Sequence, residues 1–139
     1  MNTNVITVEV LVKNPLATVW EHWNKPEHIE RWAFAADDWE AYGAENDLRV
    51  GGTFKTTMAA KDKSASFDFG GVYTVVQEQK HIEYDMDDAR HVSVTFTDVP
   101  EGVQVTVAFD AEKQNSSEMQ RDGWQALLNN FKKYTESNP

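Results

Sequence analysis

SSEMQRDGWQALLNNFKKYTE, residues 116–136, is the stretch that decides the fold of this chain. Its apolar residues recur at i, i+3, i+4 and i+7, a spacing that puts them on one face of a helix. These residues are Trp124, Leu127, Leu128 and Phe131, and Tyr134 extends the same stripe. The segment therefore predicts a long amphipathic helix near the end of the chain, with an apolar face that other elements must cover.

Three polar or small residues add detail to this helix. Ser117 and Gln120 have the spacing of a capping box, which predicts where the helix begins. Gln120 also projects onto the apolar side of the helix. Gly123 stands at the edge of that face, although glycine costs about 1 kcal/mol relative to alanine inside a helix. We therefore expect another element to approach the helix closely at Gly123.

The chain before this helix predicts one strand, two short helices and then a run of strands. Apolar residues alternate along residues 5–12, as they do in a half-buried strand. Asn14 and Pro15 supply a cap and a first-turn proline for a helix over 15–23, and Pro26 begins a second over 26–32. Strands are then predicted at 53–60, 66–77, 81–87, 91–98 and 103–109, and a short strand near 39–42 is left open.

These elements predict an α+β fold in a single domain, residues 1–139. One antiparallel sheet of six or seven strands would span roughly 25–30 Å, and a helix of about twenty residues is ~30 Å long. The match predicts one curved sheet wrapped around the long C-terminal helix, with the two short helices after the first strand closing one end. Gly51-Gly52 and Gly70-Gly71 predict bulges or sharp bends that let the sheet curl.

Composition limits the partners of the protein. The 139 residues carry a formal net charge of −10 and no cysteine. That charge repels nucleic acid and anionic membrane surfaces, and the lack of cysteine excludes disulfides and thiolate metal sites. The N-terminus lacks the pattern of a signal peptide, so we expect a cytoplasmic protein. A basic protein partner and a homodimer are left open.

Residues 33–47 have no clean period and carry three aromatic residues, Phe34, Trp39 and Tyr42. Because connecting segments normally lie exposed, we expect this segment to fold back over an apolar surface as the lid of a cavity. Asp38, Glu40 and Glu45 are the acids placed to overhang the mouth of such a cavity, although each also fits a solvated loop.

A curved sheet and a straight helix cannot touch everywhere, so the gap is either filled by side chains or left as a cavity. Core packing alone would explain any one of the large inward residues. However, Tyr73, Tyr84 and Gln120 also point inward by phase, and an apolar cavity with a few polar groups is typical of a ligand site. The predicted ligand-binding residues are Trp32, Phe54, Phe67, Phe69, Tyr73, Tyr84, Phe96, Gln120 and Trp124.

Several motifs give the chain a resemblance to a known superfamily. They are Asn14-Pro15 with Val19-Trp20 and Trp32, the runs DLRVGGTF at 47–54, FGGVY at 69–73 and VTF at 94–96, and Gly123-Trp124. Over nearly its whole length the chain resembles the START-like superfamily, also called SRPBCC or helix-grip. Within it, the chain looks like the branch related to the activator of the heat-shock-protein-90 ATPase.

The resemblance implies a seven-stranded antiparallel sheet that grips a long C-terminal helix, with a cavity between them. It also implies the binding of hydrophobic or aromatic small molecules, and some relatives are cyclases or dehydratases. The branch has no shared catalytic motif that can be carried over to residues of this chain. The name of the branch comes from larger proteins that contain an additional domain, and this chain is too short to contain that domain.

The residues themselves predict no catalytic machinery. His22, His28, His81 and His91 lack the close spacing of a zinc motif, and we expect them on the solvated surface. No nucleophile elbow or P-loop occurs, and the acidic run 85–88 lacks the glycine and distal glutamate of a calcium loop. The sequence therefore predicts neither a metal site nor a cofactor, and it leaves the catalytic residues unknown.

Three hypotheses follow. The first is a non-enzymatic binder of a small apolar or aromatic molecule, held in a cavity between the sheet and the C-terminal helix. The second is a cyclase- or dehydratase-like enzyme that uses the same pocket and a loop acid. The third is a co-chaperone-like protein-interaction module with a filled core and an acidic outer surface.

Overall fold

The computed structural model describes residues 5–34, 36–113 and 115–137. Its elements are, in chain order, β1 (Val5–Val12), α1 (Leu16–Asn24), α2 (Pro26–Trp32), β2 (Trp39–Asn46), β3 (Thr53–Ala60), β4 (Ser66–Gln77), β5 (His81–Met86), β6 (His91–Val99), β7 (Gly102–Asp110) and α3 (Ser117–Ser137). No helix within these residues is long and apolar enough to cross a membrane.

All seven strands form one antiparallel sheet in the order β1-β7-β6-β5-β4-β3-β2. From β2 onward the chain runs back and forth as a meander, and β1 returns to pair with β7, with Val8 opposite Val107. Buried valines from β1, β6 and β7 alternate with exposed or half-buried residues, so one face of this part of the sheet is apolar. The sheet is curled around α3, which confirms the predicted fold class.

α3 packs its apolar stripe into the hollow of the sheet. Leu128 and Phe131 are fully buried, and the Trp124 ring stacks on Phe109 with 4.5 Å between ring centroids. The capping residue lies one position earlier than predicted, because the Ser116 hydroxyl accepts the N–H of Met119 at 3.1 Å. Ser116, and not Ser117, is therefore the capping side chain.

The expected close approach at Gly123 is wrong. A Cβ atom placed on this glycine would meet nothing within 4 Å. The glycine faces open space that belongs to the cavity described below. No steric contact therefore explains why a glycine, which lowers helix stability, stands at this position.

Polar side chains of α3 tie the helix to β1, which is one edge of the sheet. The Gln125 amide donates to the carbonyl oxygen of Glu9 at 3.1 Å, and the Lys132 ammonium donates to that of Leu11 at 2.8 Å. These bonds satisfy backbone acceptors that an edge strand would otherwise expose. α3 is thereby fixed over the β1 side of the sheet, and the concave surface of β3–β5 is only partly covered.

The other edge of the sheet is β2, which extends the strand left open near 39–42 into more of the segment 33–47, predicted as a lid. Phe34 and Trp39 of that segment line the cavity described below. The segment contains an eight-residue strand, with Ala41 opposite Met58 of β3, and only residues 33–38 connect α2 to it. Ala35, part of the predicted lid, lies outside the described residues. β2 lacks an apolar alternation because Ala41 is its one buried residue. Glu30 of α2 covers this edge by accepting the Ala44 N–H at 2.9 Å.

Neither glycine pair forms the predicted bulge within a strand. Gly51 and Gly52 precede β3, and Gly51 has a φ of 85°. Gly70 and Gly71 stay paired within β4, and the shift in register comes later, between Tyr73 and Val75. A Cβ on Gly71 would lie 2.3 Å from the carbonyl oxygen of Asp85. This glycine is therefore required by a close approach of neighbouring backbone and not by a bulge.

Candidate functional site: a cavity between the sheet and the C-terminal helix

A cavity of about 690 Å³ lies between strands β3–β5, helix α2 and the first half of α3. Its position follows from the fold, because α3 is bound to the β1 side and leaves the opposite part of the hollow open. Eight of the nine predicted site residues line it: Trp32, Phe54, Phe67, Phe69, Tyr73, Tyr84, Gln120 and Trp124. Their role as ligand contacts stays a prediction.

Phe96 is not among the residues that line the cavity. It is buried and packs edge-on against the rings of Trp20 and Trp23, at centroid distances of 5.1 and 5.9 Å. Its phase on β6 is inward, as predicted, but β6 lies beneath α1. The short helix therefore covers the position that the sequence pattern assigned to the cavity.

Phe67 and Gln120 line the cavity in ways that the sequence did not indicate. Phe67 is 51% exposed, as is fitting for a side chain at an opening, and it contacts the Trp39 ring at 5.9 Å. The Gln120 amide closes the loop before α3 instead of projecting freely inward. Its oxygen accepts the N–H of Glu112 at 2.8 Å, and its nitrogen donates to the carbonyl oxygen of Asn115 at 2.8 Å.

A polar cluster of the buried Tyr73 and Asn24 and the half-buried Asn46 forms part of the cavity wall. The Tyr73 hydroxyl donates to Oδ1 of Asn46 at 2.5 Å, and Nδ2 of Asn46 donates to the carbonyl oxygen of Asn24 at 2.7 Å. Burial raises the pKa of Tyr73 well above its ordinary value, so its hydroxyl remains a neutral donor. Asn24 and Asn46 were not predicted, since nothing in their local sequence distinguishes them from helix-end and turn residues.

Oδ1 of Asn24 is buried and has no hydrogen-bond partner among the described residues, although Nδ2 of the same side chain donates to the carbonyl oxygen of Trp20 at 3.0 Å. Buried side-chain oxygens are nearly always paired. The cavity wall therefore includes a residue with an unused hydrogen-bond acceptor.

Tyr84 is the second tyrosine of the wall, and its surroundings differ from those of Tyr73. Its ring meets Phe54 and Phe69 edge-on, at centroid distances of 4.7 and 6.3 Å. Burial raises the pKa of Tyr84 strongly, so this hydroxyl is neutral as well. No described residue forms a hydrogen bond with it, in contrast to the hydroxyl of Tyr73.

Charged residues are confined to the exposed part of the lining. We call these residues the rim: Glu45, Asp68, Asp87, Asp88, Arg90 and Glu112. The five acids are exposed or half-buried, and Nε of Arg90 donates to the Asp88 carboxylate at 2.8 Å. Of the three acids predicted to overhang the mouth, Glu45 belongs to the rim, whereas Asp38 and Glu40 do not line the cavity.

The histidines correct the sequence prediction of a solvated surface. His22 is buried between the three helices, stacks on His28 at 4.2 Å between ring centroids, and lies 3.3 Å from the Thr135 hydroxyl. His81 and His91 each place Nε2 2.7 Å from the Glu83 carboxylate on the sheet. Among the described residues, no group of histidine and acidic side chains could hold a metal ion.

Comparisons with known proteins identify the relatives of the chain. The family model described as "Activator of Hsp90 ATPase homolog 1-like protein" matches residues 13–136. An AHSA1-like protein from Aeromonas hydrophila has a similar solution structure, with a TM-score of 0.91 and 42% identity over 96% of this chain and 93% of that chain.

Two other solved structures share the fold. A protein from Cytophaga hutchinsonii is 50% identical over 96% of this chain and 92% of that chain, with a TM-score of 0.82. A protein from Chromobacterium violaceum reaches a TM-score of 0.85 at 21% identity, covering 96% and 98% of the two chains. No match was found among curated proteins.

Proposed function

We propose that this chain, which belongs to the family of activator of Hsp90 ATPase homolog 1-like proteins, is a non-enzymatic binder of a small apolar or aromatic molecule. The observation that carries the proposal is the cavity of about 690 Å³ with its wall of aromatic side chains. Ligand sites are typically clefts of about 300–1,000 Å³ that are mostly apolar and contain a few polar groups. The two buried tyrosines and the two asparagines supply such groups.

The chemistry of the lining favours a binder over an enzyme. General acid–base catalysis needs a group whose pKa lies near the working pH and which reaches the reacting atoms. In the described part of the lining, the buried ionisable groups are Tyr73 and Tyr84, and burial moves the pKa of both away from neutrality. The carboxylates belong to the rim, where they are exposed or half-buried.

A protein-interaction module is the weaker alternative for the interior. Such a module gains nothing from an unfilled core, because close packing contributes to the stability of a domain. The open space next to Gly123 could be occupied by a larger side chain without steric conflict. The glycine at this position leaves that space open to a ligand.

Native mass spectrometry of freshly purified protein tests the proposal first. We expect a mass adduct from a co-purified small molecule, which organic extraction removes. A thermal-shift screen against a broad apolar and aromatic library is the second measurement, since a ligand that binds only the folded state raises Tm.

Two substitutions at one position provide a matched pair of variants. Gly123→Leu extends a side chain into the cavity, whereas Gly123→Ala gives the helix a comparable gain in propensity with a single methyl group. We expect Gly123→Leu to remove the adduct and the ligand-induced rise in Tm, and Gly123→Ala to keep both. Equal binding by the two variants, or no ligand in either measurement on the parent protein, would refute the proposal.

A further inference from the structure

We propose that the ligand of this cavity is an uncharged apolar or aromatic molecule with a hydrogen-bond acceptor, such as a carbonyl oxygen, that the Tyr84 hydroxyl binds. The inference rests on the proposed function, because it names the chemical class that the same cavity accepts. It also makes Tyr84 the residue that positions the polar end of the ligand. Three features carry it: the fixed ring of Tyr84, its unpaired hydroxyl, and the charges around that hydroxyl.

The ring of Tyr84 is held in place by other aromatic rings. It meets Phe54, Tyr73 and Phe69 edge-on, at centroid distances of 4.7, 6.1 and 6.3 Å. Edge-to-face pairs of this kind are favourable, and Tyr84 is only 5% exposed. The hydroxyl therefore has a fixed position in the cavity wall, which a group that orients a ligand requires.

The hydroxyl of Tyr84 is unpaired and within reach of the cavity. Tyr84 lines the cavity, and its hydroxyl forms no hydrogen bond with any described residue. Among the unpaired side-chain oxygens and nitrogens of the buried and half-buried described residues, only Oδ1 of Asn24 is fully closed off. The Tyr84 hydroxyl is therefore accessible. Because buried hydroxyls are nearly always paired, a molecule inside the cavity is the partner that this one lacks.

The surroundings of the Tyr84 hydroxyl favour donation to the ligand. Burial raises its pKa most, the neighbouring Tyr73 raises it further, and the positive charge of Arg90 opposes them. The hydroxyl therefore keeps its proton at neutral pH and can turn it toward an acceptor. The positive charge of Arg90 favours a partly negative ligand atom beside the hydroxyl and disfavours a cation.

The same surroundings disfavour an anionic polar end. A carboxylate beside Tyr84 would lose its hydration and gain a hydrogen bond from a neutral hydroxyl, which does not offset the cost of burying a charge. Arg90 does not reverse this cost, because its Nε atom is already paired with the Asp88 carboxylate at 2.8 Å. The acids of the rim also repel an anion that enters the cavity. A neutral carbonyl group meets neither penalty.

Three naphthalene probes of similar shape test the inference by isothermal titration calorimetry at pH 7. They are the ketone 2-acetonaphthone, the alkene 2-isopropenylnaphthalene, which has a methylene group in place of the ketone oxygen, and the carboxylate 2-naphthoate. The alkene is more apolar than the ketone, so their affinities for one protein also differ through hydration. The informative quantity is therefore the ratio of the alkene Kd to the ketone Kd, because comparing this ratio between variants cancels the hydration of the free probes.

Tyr84→Phe removes the hydroxyl and keeps the ring, and Tyr42→Phe is the matched control, since Tyr42 is 49% exposed on β2 and outside the cavity lining. We expect the ratio to fall about fivefold in Tyr84→Phe, because one hydrogen bond to the ketone is lost, and to stay within about twofold in Tyr42→Phe. In the parent protein the carboxylate should bind most weakly. Infrared difference spectra of the parent should show the C=O stretch of the bound ketone at a lower frequency than in hexane.

The outcomes separate this inference from the function on which it rests. An unchanged ratio in Tyr84→Phe, an equal fall in Tyr42→Phe, or a C=O stretch like that in hexane would overturn the role of Tyr84 and leave a binder of apolar molecules. Tightest binding of the carboxylate would overturn the uncharged polar end. If none of the three probes binds, the proposed function falls and this inference falls with it.

Discussion

Tyr73 and Tyr84 provide the sharpest test of how the cavity wall is built, because one hydroxyl is bonded and the other is not. Both rings are buried, at 6% and 5% exposure. Replacing each tyrosine by phenylalanine removes one oxygen and leaves the ring. Tyr73→Phe takes away the donor to Oδ1 of Asn46, a half-buried side chain. Tyr84→Phe takes away a hydroxyl that is bonded to no described residue.

The expected magnitudes differ. A fully buried acceptor that loses its donor costs about 1–3 kcal/mol. Because Asn46 is half-buried, Tyr73→Phe should lower the free energy of unfolding by the lower end of that range, about 1 kcal/mol. For a domain of this size each kcal/mol corresponds to a change in Tm of roughly 3–4 °C. Tyr84→Phe breaks no protein hydrogen bond, and we expect its free energy of unfolding to stay within about 0.5 kcal/mol of the parent.

Urea denaturation followed by tryptophan fluorescence and circular dichroism measures both variants. Equal m-values would indicate that the difference lies in the native state. The ligand-bound protein provides a second comparison, since the Tyr84 hydroxyl is free to bond a ligand. If Tyr84→Phe lowered the free energy of unfolding as much as Tyr73→Phe or more, the structure would be wrong about which of the two hydroxyls is hydrogen-bonded.

Other consequences of the structure can be tested by stability measurements. Phe131→Ala should lower the free energy of unfolding, measured by urea denaturation, by about 3–5 kcal/mol. Met119 is 61% exposed, so Met119→Ala should change it little. Similar losses of stability in the two variants would refute the packing of α3. Burial lowers the pKa of His22, and the neighbouring His28 lowers it further. As pH falls, His22 therefore binds a proton in the unfolded chain before it does so in the folded chain. The stabilising contribution of His22 is present above about pH 6.5 and is lost as pH falls toward the folded-state pKa. The Asp85 hydrogen bond raises the pKa of His91; its contribution is therefore full below about pH 6.5 and is lost as pH rises through the folded-state pKa.

Two variants separate the opposite pH dependences of the stability contributions of His22 and His91. Tm is measured between pH 5 and 8 for the parent, for His22→Gln and for His91→Gln. Relative to the parent, His22→Gln should gain Tm toward low pH, and His91→Gln should gain Tm toward high pH. Differences of the same sign for the two variants would contradict the structure of both sites.

The features that follow from local periodicity were predicted correctly from the sequence. A spacing of three and four residues placed Leu128 and Phe131 on one face of α3, and both are fully buried. Alternation gave β1 and β3–β7 within one or two residues of their bounds. β2 was predicted only in part, because an edge strand with one buried residue carries almost no alternation.

Other features depend on which elements meet in space. His22 lies off the apolar stripe of α1, yet it is buried because the helices α2 and α3 contact α1 as well. Phe96 points inward, yet it is covered by Trp20 and Trp23 of that same helix. Gly123 suggested a close neighbour, yet the space beside it is open. None of these arrangements is encoded in the spacing of residues along one element.

The sequence by itself determined a curled antiparallel sheet around a long amphipathic helix, because side-chain periods of 2 and 3.6 residues assign faces to strands and helices. Only the tertiary structure decided that α3 binds the β1 edge through Gln125 and Lys132, and so leaves the hollow open over β3–β5. The position of a helix within a hollow depends on contacts between residues more than a hundred positions apart, such as Lys132 with Leu11. A local pattern cannot contain that information, and the open space of the cavity follows from it.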